Sequence, residues 1–521
     1  MNKKQMGVNL IAGLVSNAVT LAISLFLTPY LVEHLGDEAY GYIGLSDQFL
    51  TIATIFTTAL NSMANRFILL AYQKQDKQKV LEYYSSLFVG GAILAGVFFV
   101  GGMFVAGSVE HIFKVTPSLL PAVKLTFAIS IVNFCVITLM SIFTTAAFIK
   151  NRLSLSSMGE LVANLVKALF LVTVFTLLDP QLYYARLGGL LYTVVLYGIH
   201  MLNTRRLLPE LKIRLRFAKL KAIKELVVSG MWNSFSQIIQ LLMVGMDLAL
   251  ANWLLDERAM GLLSISNMLT MASNSIIGVV VGIFSPVLFR TYAQRHFSKL
   301  RMQTAQTVRL ECAVMFVPLA GLFVFSPYFY SLWMPYKSQA DIMLLAAITA
   351  VKLWEQFARL TTEALRLNFT MYNQLRSSVI VRLLFSVFNL PLVVLLVTVC
   401  PSYTGSVLLI AGISSVLYSI YYWAVEPWLV SRVTGEAVKA YYQMILREIL
   451  LFACLVGAFS AIYGCMPAPV GWASFLLLAG CAGAFGYLIV WMVGLNKSDR
   501  ETLHSMLFEA IRKRFPKDPQ E

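Results

Sequence analysis

The chain has 521 residues, of which 58% are hydrophobic and only 13% charged, with a net charge of +15. A soluble protein of this length carries about a quarter charged residues, so the composition excludes a soluble enzyme and specifies a polytopic integral membrane protein. The basic surplus would suggest nucleic acid as a partner of a soluble chain; here it reflects basic residues gathered in cytoplasmic loops, and no nucleic-acid partner is expected.

Taken in order, the first apolar run follows Lys3-Lys4 and begins like a signal peptide. It continues to about Val32 without a small-x-small cleavage site, so it is read as a retained helix. Apolar runs separated by short polar punctuation predict spans at 7–33, 42–70, 83–108, 119–148, 155–178 and 183–203. A basic stretch follows, then spans at 226–253, 260–289, 308–333, 340–366, 376–399 and 403–427, and a last pair at 443–465 and 470–494. The fold class is therefore all-α and polytopic, with about 14 transmembrane helices of roughly 20 residues or more.

An even number of spans puts both termini on one side. Of the 41 Lys and Arg residues, 32 fall on that side and five on the other (Lys114, Lys124, Arg186, Arg258 and Lys337), with four inside spans. This asymmetry predicts cytoplasmic termini. The organisation that follows is an N-lobe at 1–203, a basic cytoplasmic linker at 204–225, a C-lobe at 226–430, a helix pair at 431–495 and a cytoplasmic tail at 496–521. The linker carries eight bases interleaved with Leu, Ile and Phe. It reads equally as a segment lying on anionic headgroups and as a charged connector.

The two halves superpose without a gap when Leu35 is set on Leu255. In that register Ala39, Gly41 and Ser46 meet Ala259, Gly261 and Ser266. Six spans per half preserve orientation on duplication, so the halves are expected to be parallel repeats about an axis along the membrane normal, an architecture of alternating-access transporters.

Four spans carry polar residues three or four apart, hence along one helix face. Span 1 has Asn9, Gly13, Ser16 and Thr20; span 2 has Asp47, Thr51, Thr54, Asn61 and Asn65, beside Arg66. Span 7 has Ser229, Asn233, Ser236, Gln240 and Asp247, and span 8 has Ser264, Asn267, Thr270, Asn274 and Ser285. Small polar residues can simply join helices, each for about 1 kcal/mol or less. That suffices for Ser, Thr and Gly, including the Gly90–Gly102 run of span 3. Symmetry-matched stripes bearing Asn and Gln favour a water-filled cavity.

Span 10 carries Lys352, Glu355, Arg359, Glu363 and Arg366 at spacings of 3, 4, 4 and 3. A charge at the bilayer centre costs about 2.5–3.5 kcal/mol, so this stripe cannot face lipid. It is either an ion-pair ladder or a cationic cavity wall, with Lys167, Asp247, Glu311 and Arg382 as further partners. The five histidines and six cysteines show no metal spacing and there is no phosphate-binding loop, so neither metal, cofactor nor catalytic centre is expected.

The segment N-L-I-A-G-L…L-T-P-Y-L-V-E-H-L-G-D-E-A-Y-G-Y-I-G-L-S-D, from Asn9 to Asp47, resembles the opening of the Wzx-like polysaccharide flippases, the O-antigen and capsule exporters of the multidrug/oligosaccharidyl-lipid/polysaccharide exporter superfamily. The motif resemblance runs from the start of the chain to about Val80; the helix pattern extends it over the rest. It implies a bilobed bundle, spans 1–6 against 7–12, in a bacterial inner membrane. The final pair resembles that of some polysaccharide exporters and lipid II flippases. The implied activity is outward translocation of an undecaprenyl-pyrophosphate oligosaccharide for surface polysaccharide or lipopolysaccharide synthesis, alongside membrane lipid and polysaccharide assembly proteins.

On that reading, Arg66, Lys167, Lys352, Arg359 and Arg382 would neutralise phosphate. Asn233, Gln240, Asn267 and Asn274 would bond sugar hydroxyls, and Glu355 and Glu363 would tune the cations. A proton or sodium ion would couple through Asp247 or Glu363. The acidic residue found in span 1 of many multidrug exporters has no counterpart, since Glu33 lies at the outer end. A cation-coupled multidrug exporter and a non-transporting scaffold of glycan assembly are the alternatives.

Overall fold

The computed structural model describes residues 3–150, 152–244, 246–372 and 374–501. The side chains of Asn9, Ser236, Gln240 and Ser285 lie outside the described residues, as does the tail from 502 onward. The chain begins with α1 (Lys3–Leu35), α2 (Asp37–Asn61), α3 (Ala64–Gln73), α4 (Lys77–Gly107), the short α5 (Val109–Ile112), α6 (Leu120–Met140) and α7 (Thr145–Ile149). It continues through α8 (Leu153–Leu177), α9 (Leu182–Leu207), α10 (Leu220–Val244), α11 (Asp247–Leu254), α12 (Glu257–Ala293) and α13 (Phe297–Trp333). The remainder is α14 (Gln339–Leu360), α15 (Glu363–Met371), α16 (Leu375–Val399), α17 (Tyr403–Ile420), α18 (Glu426–Thr434), α19 (Val438–Cys465) and α20 (Trp472–Ile489).

Among the described residues every predicted span is helical, and eleven helical stretches are long and apolar enough to cross a membrane. Span 10, with its charged stripe, is not among the eleven. Spans 2, 7 and 10 are each broken, at α2/α3, α10/α11 and α14/α15, and span 12 passes through a π-helical turn, Tyr421–Val425.

Residue contacts gather into two compact units. The first comprises Met1–Ile265 and Val394–Val407. Within it α6 packs on α4 and α9, α8 on α1 and α9, and α2 on α10, around buried Leu60, Ile68, Tyr84, Leu87, Ile142 and Leu226. Ser16 donates to Glu160 at 3.0 Å and Asn164 donates to Thr20 at 2.9 Å. Ser16 and Thr20 therefore join α1 to α8. In the glycine run of α4, a Cβ on Gly91 would meet the Thr138 carbonyl at 3.2 Å and one on Gly102 would meet Ile131 at 2.9 Å. Gly96 and Gly101 have open space instead, which corrects the expectation that the whole run joins helices.

The segment after α9 is held against α4. Leu208 and Leu211 are buried, Arg214 N–H donates to Ser85 Oγ at 3.1 Å, and Lys219 N–H donates to Ser86 Oγ at 2.9 Å. All eight bases from Arg205 to Lys224 are exposed. Arg186, read from sequence as an outer-loop base, lies instead within α9. Its side chain is 12% exposed and pairs with Asp47 at 2.7 Å. The apolar residues around it hid a helix start that the charge had marked as loop.

The second unit comprises Ser266–Val393 and Leu408–Glu521. Its central helix is α13, which packs on α14, α15, α19 and α20. Phe316, Phe357, Phe452 and Phe459 fill the core, the Phe357 and Phe452 rings stacking at 4.0 Å. Where α20 ends, Arg309 grips Asp499 through two bonds of 2.7 and 3.0 Å.

Candidate functional site

The charged stripe is built on α14. Ser338 caps the helix by accepting from Asp341 N–H at 3.1 Å, and Thr349, Lys352 and Gln356 fall on its buried face. Opposite them α12 presents Ser266, Asn267, Thr270 and Asn274, and the two helices pair rung by rung. Ser266 and Thr349 hydroxyls lie 3.0 Å apart, Lys352 Nζ donates to Asn267 Oδ1 at 2.6 Å, and Gln356 Nε2 donates to the Thr270 carbonyl at 2.9 Å. Arg359 donates to Asn274 Oδ1 as the last rung. After the first rung the α14 members advance by three or four residues, the spacing that keeps one helix face in register.

Lys352 is only 4% exposed, whereas the Arg359 side chain is 24% exposed. Neutral carboxamide oxygens orient both cations without cancelling their charge. Such cations have the donors that phosphate oxygens accept, with the guanidinium able to bind two at once.

The stripe does not continue along one helix, as the spacing had suggested. Thr361 and Thr362 interrupt it, their hydroxyls bonding back to Ala358 and Arg359 carbonyls at 2.7 and 3.3 Å, a side-chain alternative to the helical ladder. Trp423 Nε1 donates to Thr361 Oγ1 at 3.1 Å, and Thr362 Oγ1 donates to the fully buried Glu426 at 2.8 Å. Beyond the break Glu363 accepts from Arg366 and lies 3.8 Å from Arg359 Nε, while Arg366 Nε is 3.5 Å from Glu426.

The structure thus brings Asn267, Asn274, Lys352, Arg359 and Glu363 together. Glu355 on α14 and Arg382 on α16 are half-buried in the same unit, and each is engaged in an interaction of its own. In the first unit Arg66 is exposed on α3, Asn233 is half-buried on α10, and Lys167 on α8 lies within electrostatic reach of Asp47 and Arg186. Asp247 is buried as the first residue of α11, after the break that ends α10, and is also engaged. Sequence reasoning missed Gln356, although it sits one helical turn beyond Lys352 and extends the same stripe. It also missed Glu426, whose distance along the chain from Thr362 and Arg366 left no signal.

A profile described as "Polysaccharide biosynthesis protein" matches residues 6–292, more than half of the sequence. The chain belongs to that family. The resemblance to polysaccharide exporters read from residues 9–47 is thereby borne out. A curated relative, "Uncharacterized membrane protein EpsK" of Bacillus subtilis (strain 168), is 26% identical over 433 residues, covering 82% of this chain and 83% of the relative. The fold is similar to that of a multidrug resistance MATE family transporter of the MOP superfamily in an inward-facing conformation. The TM-score is 0.68 at 14% identity, with 82% of this chain and 99% of that one covered. It is also similar to the lipid II flippase MurJ in an inward closed conformation, with a TM-score of 0.64 at 13% identity and coverages of 92% and 96%. This family member is therefore a multi-pass membrane protein with a transporter fold.

Proposed function

We propose that this protein is a flippase that moves a lipid-linked oligosaccharide across the cytoplasmic membrane by alternating access, for surface polysaccharide such as O-antigen or capsule. The observation that carries the proposal is the ladder of Lys352, Gln356 and Arg359 on Asn267, Thr270 and Asn274. Two cations set among carboxamides, on helices of membrane-spanning length, suit a ligand combining an anionic pyrophosphate with sugar hydroxyls. The family match supports this reading, as does the likeness to a protein titled a lipid II flippase. The cationic character of the ladder favours this substrate over the cationic compounds of a multidrug exporter. In this reading Arg66, Lys167, Asn233, Gln240, Glu355 and Arg382 contribute to substrate passage, and both termini face the cytoplasm.

Proteoliposomes containing only this protein and a fluorescent undecaprenyl-pyrophosphate oligosaccharide test the proposal. The wild type is expected to carry the lipid across, and Lys352→Ala with Arg359→Ala to abolish transport at normal insertion. Normal transport by the double variant, or export of cationic dyes in place of the lipid, overturns the reading. Comparison of Asp247→Asn with Glu363→Gln under imposed proton and sodium gradients tests coupling. Asp247→Asn is expected to be the more impaired, and a full gradient response by that variant removes Asp247 from the mechanism.

A further inference from the structure

The geometry points to Glu311 as a proton-carrying site linked by an ion-pair chain to Arg359. Glu311 lies on α13, at the centre of its unit, and is 0% exposed. Among the described residues neither of its carboxylate oxygens has a hydrogen-bond partner. An ionised carboxylate so placed has lost water without gaining a donor, the least favourable state for a buried charge. A neutral carboxyl holding a proton suits these surroundings. A metal ion suits them less, because no cluster of three or more His, Cys, Asp or Glu side chains among the described residues could hold one.

Each helix packed on α13 brings a different group towards it. From α15, Glu363 and Arg366 act on Glu311. From α19, Glu448 reaches the thiol of Cys312, and its own oxygens also lack partners among the described residues. From α14 comes Arg359, through Glu363. From α20, Tyr487 donates to the Val314 carbonyl at 3.1 Å. On α13 itself Arg309 is committed to Asp499.

Arg366 divides its guanidinium between Glu363 and Glu426, while Glu363 also attracts Arg359, which in turn holds Asn274. When Glu311 releases its proton to water it becomes a third carboxylate competing for Arg366. Withdrawal of Arg366 leaves Glu363 to hold Arg359 more firmly, and reprotonation reverses the shift. Proton occupancy at Glu311 therefore sets how available Arg359 is to an anionic ligand. One proton exchanges between a carboxyl group and water, and no other reactant is needed. The consequence for transport rests on the proposed function; the proton site itself does not.

Infrared difference spectra of the purified protein in lipid, recorded as pH is raised, test the proton site directly. The wild type is expected to show the carbonyl stretch of a protonated carboxylic acid. Glu311→Gln should lose that band, Glu311→Asp should shift it, and Glu448→Gln should retain it. Persistence of the band in Glu311→Gln, or its loss only in Glu448→Gln, overturns the assignment whether or not the protein moves lipid. In proteoliposomes an imposed proton gradient is expected to accelerate wild-type transport, with the acceleration lost in Glu311→Gln while gradient-independent flipping remains. An undiminished response in Glu311→Gln overturns the link to Arg359. A band that behaves as expected in a wild type that moves no lipid upholds the proton site and counts against the transport reading alone.

Discussion

Gly41 on α2 lies against Gly261 on α12, its own counterpart in the internal repeat. A Cβ on Gly41 would come within 3.0 Å of Gly261 N and 2.8 Å of Met260 Cε. One turn on, Gly44 meets Ser264, the next pair that the same register aligns. Both contacts lie within the first unit, and each requires a residue with no side chain at the point of closest approach. Gly41→Val and Gly44→Val should each destabilise the protein by about 1–3 kcal/mol through overpacking. Gly96→Ala, placed in open space, should not. Melting temperatures in detergent check this, and equal effects at the three positions would contradict it.

The Lys352–Asn267 rung is predicted to be specific in energy as well as geometry. A double-mutant cycle with Lys352→Met and Asn267→Ala should return a coupling of roughly 0.5–3 kcal/mol, as expected for directly bonded side chains. A cycle pairing Lys352→Met with Asn164→Ala, which belongs to the other unit, should be additive. Unfolding measured in mild detergent supplies the values, and additivity in the first cycle would remove the rung.

The linker bases are predicted to sit on anionic lipid. Arg205, Arg214, Arg216 and Lys221 are exposed around a segment pinned by Leu208 and Leu211. Each base near a charged surface contributes about 1 kcal/mol. Wild-type protein in nanodiscs should gain thermal stability as anionic lipid replaces zwitterionic lipid, and the four-fold Gln variant should lose most of that gain. An undiminished gain would leave the segment as a connector alone.

One pH effect is expected at the loop before α6. Glu110 Oε1 lies 2.6 Å from Lys124 Nζ, and the hydrogen bond from that ammonium group holds the carboxyl below its usual range. A depressed acid contributes stability that is complete above its unfolded value, about 4.3, and is lost as pH falls through its folded value. Lys124→Met should therefore melt slightly lower than wild type at neutral pH, and the difference should vanish in acid strong enough to protonate Glu110 in both states. A difference that persists in strong acid would assign it to something other than this pair.

Composition and periodicity alone determined that the chain is helical and spans a membrane many times, because the cost of placing polar backbone and charge in lipid leaves no other pattern. The repeat was also legible, since duplication preserves spacing even where identities decay. The stripe of Lys352, Arg359 and Glu363 was visible because helical periodicity projects such residues onto one face. Tertiary structure alone decided what each charge holds. Asn267 and Asn274 looked like lining residues until α12 and α14 came into register, and Arg186 looked like a loop base until it met Asp47. Glu426 and Glu311 acquired significance only when helices far apart in sequence closed around Arg366. A helical period states which way a side chain faces within its own helix, whereas its partner depends on how the helices pack, and that information is spread across the whole chain.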